Sequence, residues 1–275
     1  MTKDIFGVPE VMEGEATGRL KFMYEDIKFI LKVPIVNFMF RTLALYEQFL
    51  VLGWNQIRLN MITINMERAA QKIRYPSIDV QVPKENWNLY YDKATIERIK
   101  RVIFTFNYVN TKLLLIASAW EESLANRPIK GGGDVEGYIQ PGVIHQLPNI
   151  ELISIQQTTP QVRRLLLDIM NKHRSFDIAS DFRALAKYPI FLEKSWEGLD
   201  TYVGSDHYLL LSKKIKEQSI TLAHQMPFSV TINRPQLTPF YSNRDIAGIM
   251  GVVAMFQDFL PGLIIDGEYF RRMIL

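Results

Sequence analysis

Asp181 is the side chain in this sequence best placed to do chemistry. It lies in Ala179-Ser180-Asp181-Phe182-Arg183-Ala184-Leu185-Ala186-Lys187-Tyr188-Pro189, at the predicted start of a helix with apolar residues on both sides. A carboxylate partly desolvated by such neighbours has its pKa raised and can act as a general base near neutral pH. A helix cap is the plainer reading, because Ser-Asp before a helix satisfies orphan backbone donors and suits the helix dipole. The same stretch, however, occurs earlier without the acid. Phe182-Arg183-x-Leu185-Ala186-x-Tyr188-x-x-Phe191-Leu192-x-x-x-Trp196 repeats Phe40-Arg41-x-Leu43-Ala44-x-Tyr46-x-x-Phe49-Leu50-x-x-x-Trp54 at a constant offset of 142 residues. Asp181 then falls opposite Met39 and Ser180 opposite Phe38, so the scaffold does not require an acid at this point. Ser180 can serve as the cap and leave Asp181 facing a pocket.

Asn110 is the second candidate, in Phe106-Asn107-Tyr108-Val109-Asn110 within an otherwise apolar helical run. A buried amide needs a partner. That partner is either a neighbouring helix or a water or substrate oxygen held for reaction. Near the end of each half the repeat offset grows to 150, which sets Asn110 against Leu260. Ile35, Phe38 and Phe256 are candidates to line an apolar cavity between the halves, although aromatics at helical spacing also make ordinary core. Arg41 and Arg183 occupy equivalent positions in both copies, which favours a structural role.

Several chemistries are excluded. The chain has no cysteine, hence no disulfide, thiol nucleophile or CxxC pair. His145, His173, His207 and His224 are scattered without ligand spacing, so no metal site is expected. There is no Gly-x-Ser-x-Gly, dinucleotide fingerprint or P-loop, and Gly131-Gly132-Gly133 is not followed by Gly-Lys-Ser/Thr. No cofactor is expected. The formal charge of +3 is dispersed, which leaves no nucleic-acid footprint. A 48% hydrophobic and 22% charged composition over 275 residues suits a globular protein with a large core. Met1-Thr2-Lys3-Asp4-Ile5 lacks a leader pattern, and no run of about 18 apolar residues argues for a membrane span. A cytoplasmic location is therefore expected.

The elements that would position these residues read as helices throughout. Leu20, Met23, Ile27, Ile30 and Leu31 recur at helical spacing from about Glu15 to Lys32, and Val33-Pro34 ends that helix. A long helical pattern spans about Val36 to Arg74 and stops at Tyr75-Pro76. Residues 76–88 read as a loop, and a helix capped by Asp92 or Thr95 runs to about Leu124. The Pro- and Gly-punctuated segment 126–148 reads as a flexible linker. After it the order recurs, Asp168-Ile169 matching Asp26-Ile27 and Tyr241, Ile246, Ile249 and Phe256 matching Tyr91, Ile96, Ile99 and Phe106. The expectation is an all-α fold made by internal duplication of a unit of roughly 130 residues, packed as a pseudo-dimer. Its first repeat is 1–125, its linker 126–148 and its second repeat 149–275.

Tyr24-Glu25-Asp26-Ile27, Val33-Pro34, Arg101-Val102, Phe106-Asn107-Tyr108-x-Asn110, Arg127-Pro128 and Ala179-Ser180-Asp181-Phe182-x-Ala184-Leu185-Ala186 resemble the group I 2-haloacid dehalogenases. The likeness covers nearly the whole chain. It implies an all-helical pseudo-dimer that hydrolyses 2-haloalkanoic acids to 2-hydroxy acids with inversion at C2. In that resemblance the aspartate matching Asp181 activates a water that attacks C2, and the asparagine matching Asn110 helps hold it. Ser180, Phe38 and Phe256 match pocket positions. Ile35 stands where a tryptophan is expected and Phe256 where a tyrosine is, changes read as a larger cavity and a lost hydroxyl. Ala179 is small and leaves room for either enantiomer. The substrate carboxylate is expected at a helix N-terminus, that of the Asp181 helix being one choice, and a homodimer is implied.

Overall fold

The computed structural model describes residues 8–275, so the Met1–Ile5 segment read for a leader lies outside the described residues. All regular elements among them are helical; extended pairing is limited to two isolated bridges, Thr63 with Tyr138 and Ile129 with Val230. Helix α1 (Gly18–Leu31) is followed by α2 (Phe38–Leu43), α3 (Glu47–Met61), α4 (Ile64–Arg74) and the long α5 (Lys93–Leu124). Beyond the linker come α6 (Pro160–Lys172), α7 (Ser180–Leu185), α8 (Pro189–Leu199), α9 (Asp206–Ala223), α10 (Arg234–Leu237) and a second long helix, α11 (Asn243–Ile274).

α5 and α11, each 32 residues, pair at the centre of the molecule. Both start on a side-chain cap: Asp92 accepts from Thr95 N at 2.6 Å, and Ser242 and Asp245 form a reciprocal capping box. Where they cross, Asn107 Nδ2 donates to Gly267 O at 3.0 Å. A Cβ at Gly267 would stand 1.9 Å from Asn107 Oδ1, so glycine permits this approach. By length and composition these two helices could each cross a membrane, but nearly all of the apolar window in α5 and just over half of that in α11 is buried within the fold.

The expected single pattern from Val36 to Arg74 is in fact α2, a 3-10 turn at Ala44–Tyr46, α3 and α4. Tyr46 leaves helical backbone (φ −116°, ψ 61°). Thr63 is extended and caps α4, its Oγ1 accepting from Met66 N at 3.2 Å. The breaks let α2 and α7 turn inward, and each packs on the long helix of the opposite half, α2 on α11 and α7 on α5.

Contacts recur across the two halves. Trp54 Nε1 donates to Asp26 Oδ2 at 2.7 Å, and Trp196 Nε1 donates to Asp168 Oδ2 at 2.7 Å. Phe49 N donates to Tyr241 Oη at 3.1 Å, while Phe191 N donates to Tyr91 Oη at 3.0 Å. Tyr46 packs its ring on Tyr241 and Tyr188 packs its ring on Tyr91. The segment 126–148, expected to be a flexible connector, is tied down along its length. Ile129 N donates to Val230 O, Gly132 N to Pro227 O, Ile139 N to Ile62 O and Gly142 N to Phe29 O. Gly131 has φ +70°, and a Cβ there would lie 2.6 Å from Ser229 N; the glycine serves a close approach rather than looseness.

Candidate active site

The crossing of α2 and α7 onto the opposite long helices brings the two candidate residues together. Asp181 lies in the first turn of α7 and Asn110 mid-way along α5; they are 7% and 2% exposed. Asn110 Nδ2 donates to Asp181 Oδ2 at 2.7 Å. This is the direct bond between helices read for Asn110. Burial pushes the Asp181 carboxyl up to about 7, opposed by the Asn110 bond and by its own backbone N–H, and assisted by the negative charge of Asp266. The carboxylate is thus poised to exchange a proton near neutrality.

Asp181 is not a cap. Ala179 occupies the N-cap position, with no side-chain bond to the helix, and Ser180 does not cap either. Ser180 Oγ instead accepts from Arg41 Nη2 at 3.1 Å. Arg41 is fully buried, and its Nε donates to Glu10 Oε2 at 2.7 Å. Arg183 Nη1 reaches the other oxygen of the same carboxylate at 3.1 Å. The two equivalent arginines therefore converge on one acid between the halves.

Asp181 and Asn110 line a small cavity of about 20 Å³, room for about one water. Ser180, Ala179, Phe38 and Phe256 are also on its wall, as the sequence suggested. Ile35 is not: it is buried in the core two residues before the N-cap of α2, and it does not enlarge the cavity. The wall holds residues that were not anticipated, notably Asn37, Met39 and Phe259. Asn37 and Met39 stand at the offset of 142 from Ala179 and Asp181, so the repeat itself carried the signal for them.

An aromatic cluster closes one side. Phe38 and Phe256 meet edge to face at 5.4 Å, and Phe176 packs on Phe38 (5.6 Å), Phe256 (5.5 Å) and Phe259 (5.6 Å). Phe38, Phe256 and Phe259 are helical, whereas half-buried Phe176 lies on the coil between α6 and α7. Phe259 lines both this cavity and an open cleft of about 650 Å³, which Phe176 also lines and which does not contain Asp181. At its back His173 Nε2 pairs with Asp266 Oδ2 at 2.8 Å and Tyr208 Oη donates to Asp266 Oδ1 at 3.1 Å. Burial works against the imidazolium, but the Asp266 charge and the bonds to Asp266 and Ile169 O raise its pKa on balance. Among the described residues no group of three or more His, Asp or Glu is arranged to hold a metal ion.

The profile of the family described as halocarboxylic acid dehydrogenase DehI matches residues 34–182, a span that carries both Asn110 and Asp181. A configuration-inverting 2-haloacid dehalogenase of Alcaligenes xylosoxydans xylosoxydans is 30% identical over 94% of this chain and 90% of its own. A second configuration-inverting 2-haloacid dehalogenase, from Pseudomonas sp. (strain 113), is 26% identical over 93% and 87%. A solved D-2-halacid dehalogenase mutant superposes with a TM-score of 0.91 at 22% identity, over 98% of this chain and 96% of that one. The shared all-helical fold and the alignment across nearly the full length of both chains make this protein a member of the DehI family of 2-haloacid dehalogenases.

Proposed function

We propose that this protein hydrolyses short-chain 2-haloalkanoic acids to 2-hydroxy acids with inversion at C2, by direct attack of a water activated by Asp181. The observation that carries the proposal is the Asn110–Asp181 pair, buried together on a cavity the size of a water. The water oxygen forms a bond to C2 on the face opposite the carbon–halogen bond, which breaks with its electron pair leaving as halide. Asp181 takes the proton that the water sheds. Attack in line with the departing halide inverts C2 and depends on holding the water and C2 in register. Asn110 fixes the carboxylate and, through its remaining polar atoms, helps hold the water. Ser180, Phe38, Phe256 and the small Ala179 shape the substrate site. The inverting relatives support the stereochemistry.

In the same proposal the chain is a duplicated helical unit, 1–125 and 149–275 joined by 126–148, folded as a pseudo-dimer. The reciprocal Phe49–Tyr241 and Phe191–Tyr91 bonds support it, since residue i meeting j while j's counterpart meets i's is the mark of a two-fold contact. The cavity then lies on the pseudo-axis, with the acid supplied by one half and the amide by the other. The chain is further proposed to form a homodimer in the cytoplasm; light scattering on a sizing column tests the dimer.

A competing mechanism has Asp181 attack C2 itself and form an ester. Single-turnover reaction in heavy-oxygen water separates the two: label in the product and none in Asp181 supports water attack, and label entering Asp181 refutes it. Halide release from D- and L-2-chloropropionate by wild type and by Asp181→Asn tests the activity against a non-catalytic binding role on the same fold. Wild type that releases none, or a variant equal to wild type, rejects the proposal.

A further inference from the structure

The two ends of the cavity differ electrically. At one end stands Asp181 with Asn110. The other wall, that of Asn37 and Ser180, is backed by buried Arg41, which does not itself line the cavity: its Nη1 donates to the backbone carbonyl of Val36, immediately before Asn37, and its Nη2 donates to Ser180 Oγ. A substrate that carries its own carboxylate is repelled by Asp181, and Arg41, paired with Glu10, reaches it only through the Ser180 hydroxyl it holds, so the carboxylate belongs on the neutral donors of this wall.

Asn37 stands at this end. It is 3% exposed and lines the cavity, yet its side chain does not cap α2 although it occupies the N-cap position. Its Oδ1 is buried without a hydrogen-bond partner among the described residues. A buried amide left unpaired lowers stability, and such a group calls for an explanation in function. The fold does not impose it, for the equivalent N-cap in the second half is Ala179. No hydrogen bond within the described protein prevents the amide from turning its N–H₂ to the cavity.

We propose that Asn37 is a substrate-binding residue whose side-chain amide, together with the Ser180 hydroxyl, holds the carboxylate of the 2-haloacid on this wall of the cavity. Because Ser180 Oγ accepts from Arg41, its one proton is left to donate to the substrate. Arg41 is a positioning residue: it aims Ser180. With the carboxylate held there, and the cavity widened beyond its room for about one water to admit the acid, C2 is presented toward Asp181 and its water. This proposal rests on the dehalogenase reading and adds the residue that orients the substrate.

Propionate, which has the carboxylate and no halogen, probes this end alone as a competitive inhibitor. Asn37→Ala is expected to raise the propionate Ki and the 2-chloropropionate KM by about tenfold or more, ~1.4 kcal/mol, with a smaller change in kcat and a Tm that is unchanged or higher. Asn37→Ser, which keeps a donor, is expected to recover part of the affinity and decides the matter should the alanine variant not fold. Unchanged Ki and KM in the folded variants, or a fall in Tm and kcat with Ki unchanged, overturns the proposal. The dehalogenase reading fails separately: wild type that releases no halide, yet binds propionate through Asn37 in calorimetry, removes the reaction and leaves the anion site standing.

Discussion

Asp181→Asn should stabilise the protein while abolishing its reaction, and the gain should depend on pH. Burial raises the Asp181 carboxyl to about 7 from an ordinary value of 3.8. Between those values the folded chain holds a proton that the unfolded chain has released, so Asp181 makes stability fall as pH rises through that window and level off above about pH 7. At about 1.4 kcal/mol for each pKa unit, the ionised group costs about 4 kcal/mol at pH 8 and almost nothing at pH 4. Asparagine has nearly the same shape and cannot ionise. Urea unfolding of both proteins across pH 4 to 8.5 measures the difference, and every other titrating group cancels in it. The expected curve is near zero at the acid end and climbs to a few kcal/mol in favour of the variant. A flat difference, or a variant weaker at pH 8 than at pH 5, refutes the account of a desolvated base. Wild-type kcat/KM for 2-chloropropionate should rise through the same pKa and stay high on the alkaline side.

Asn110→Ala removes a bond to the ionised carboxylate, so the Asp181 pKa should climb further and the acid limb of kcat/KM should move to higher pH, read by halide release across pH. Phe176→Ala takes a ring from between the open cleft and the cavity. It should raise kcat/KM for longer 2-haloacids relative to 2-chloropropionate, and an unchanged ratio counts against passage on this side. Lys112, fully buried on α5, pairs with Glu67 Oε2 at 2.8 Å, and burial brings its pKa down to about 8. Glu67→Gln leaves that amine without its counter-charge and should cost about 3 kcal/mol near pH 7 in denaturant unfolding. The deficit should narrow toward pH 10, because the folded amine is neutral there and the unfolded one is losing its proton as well.

Much of this architecture was written locally. Apolar spacing and the Val33-Pro34 stop give α1 within a few residues, and of the two caps read for α5, Asp92 or Thr95, Asp92 is the one used. The breaks around α3 were harder to see, because Tyr46 leaves the helix without a proline to announce it. Tyr188, which matches it at the offset of 142, is followed by Pro189 at the first position of α8, so the matching stretch held the clue. Thr63 looked like one more residue in a helical run, and only its extended backbone makes it a cap. Ile35 shows the opposite failure: an apolar residue near the site turned out to be core, since periodicity cannot tell which wall a side chain joins.

By itself the sequence determined that the chain is helical, that residue patterns around Trp54 and Trp196 match at an offset of 142, and that an acid and an amide each fall where the matching position has neither. Those are properties of residue type and spacing. Tertiary structure alone decided that α7 lies on α5 and α2 on α11, bringing Asp181 to 2.7 Å from Asn110 across 71 positions of chain. It also decided that Asn37 Oδ1 has no hydrogen-bond partner among the described residues, and that Phe38, Phe256 and Phe259 line a cavity with the room of one water. These follow from how two long helices pack against each other, which no local pattern encodes: the hydrophobic effect rewards burying a face without naming what it is buried against.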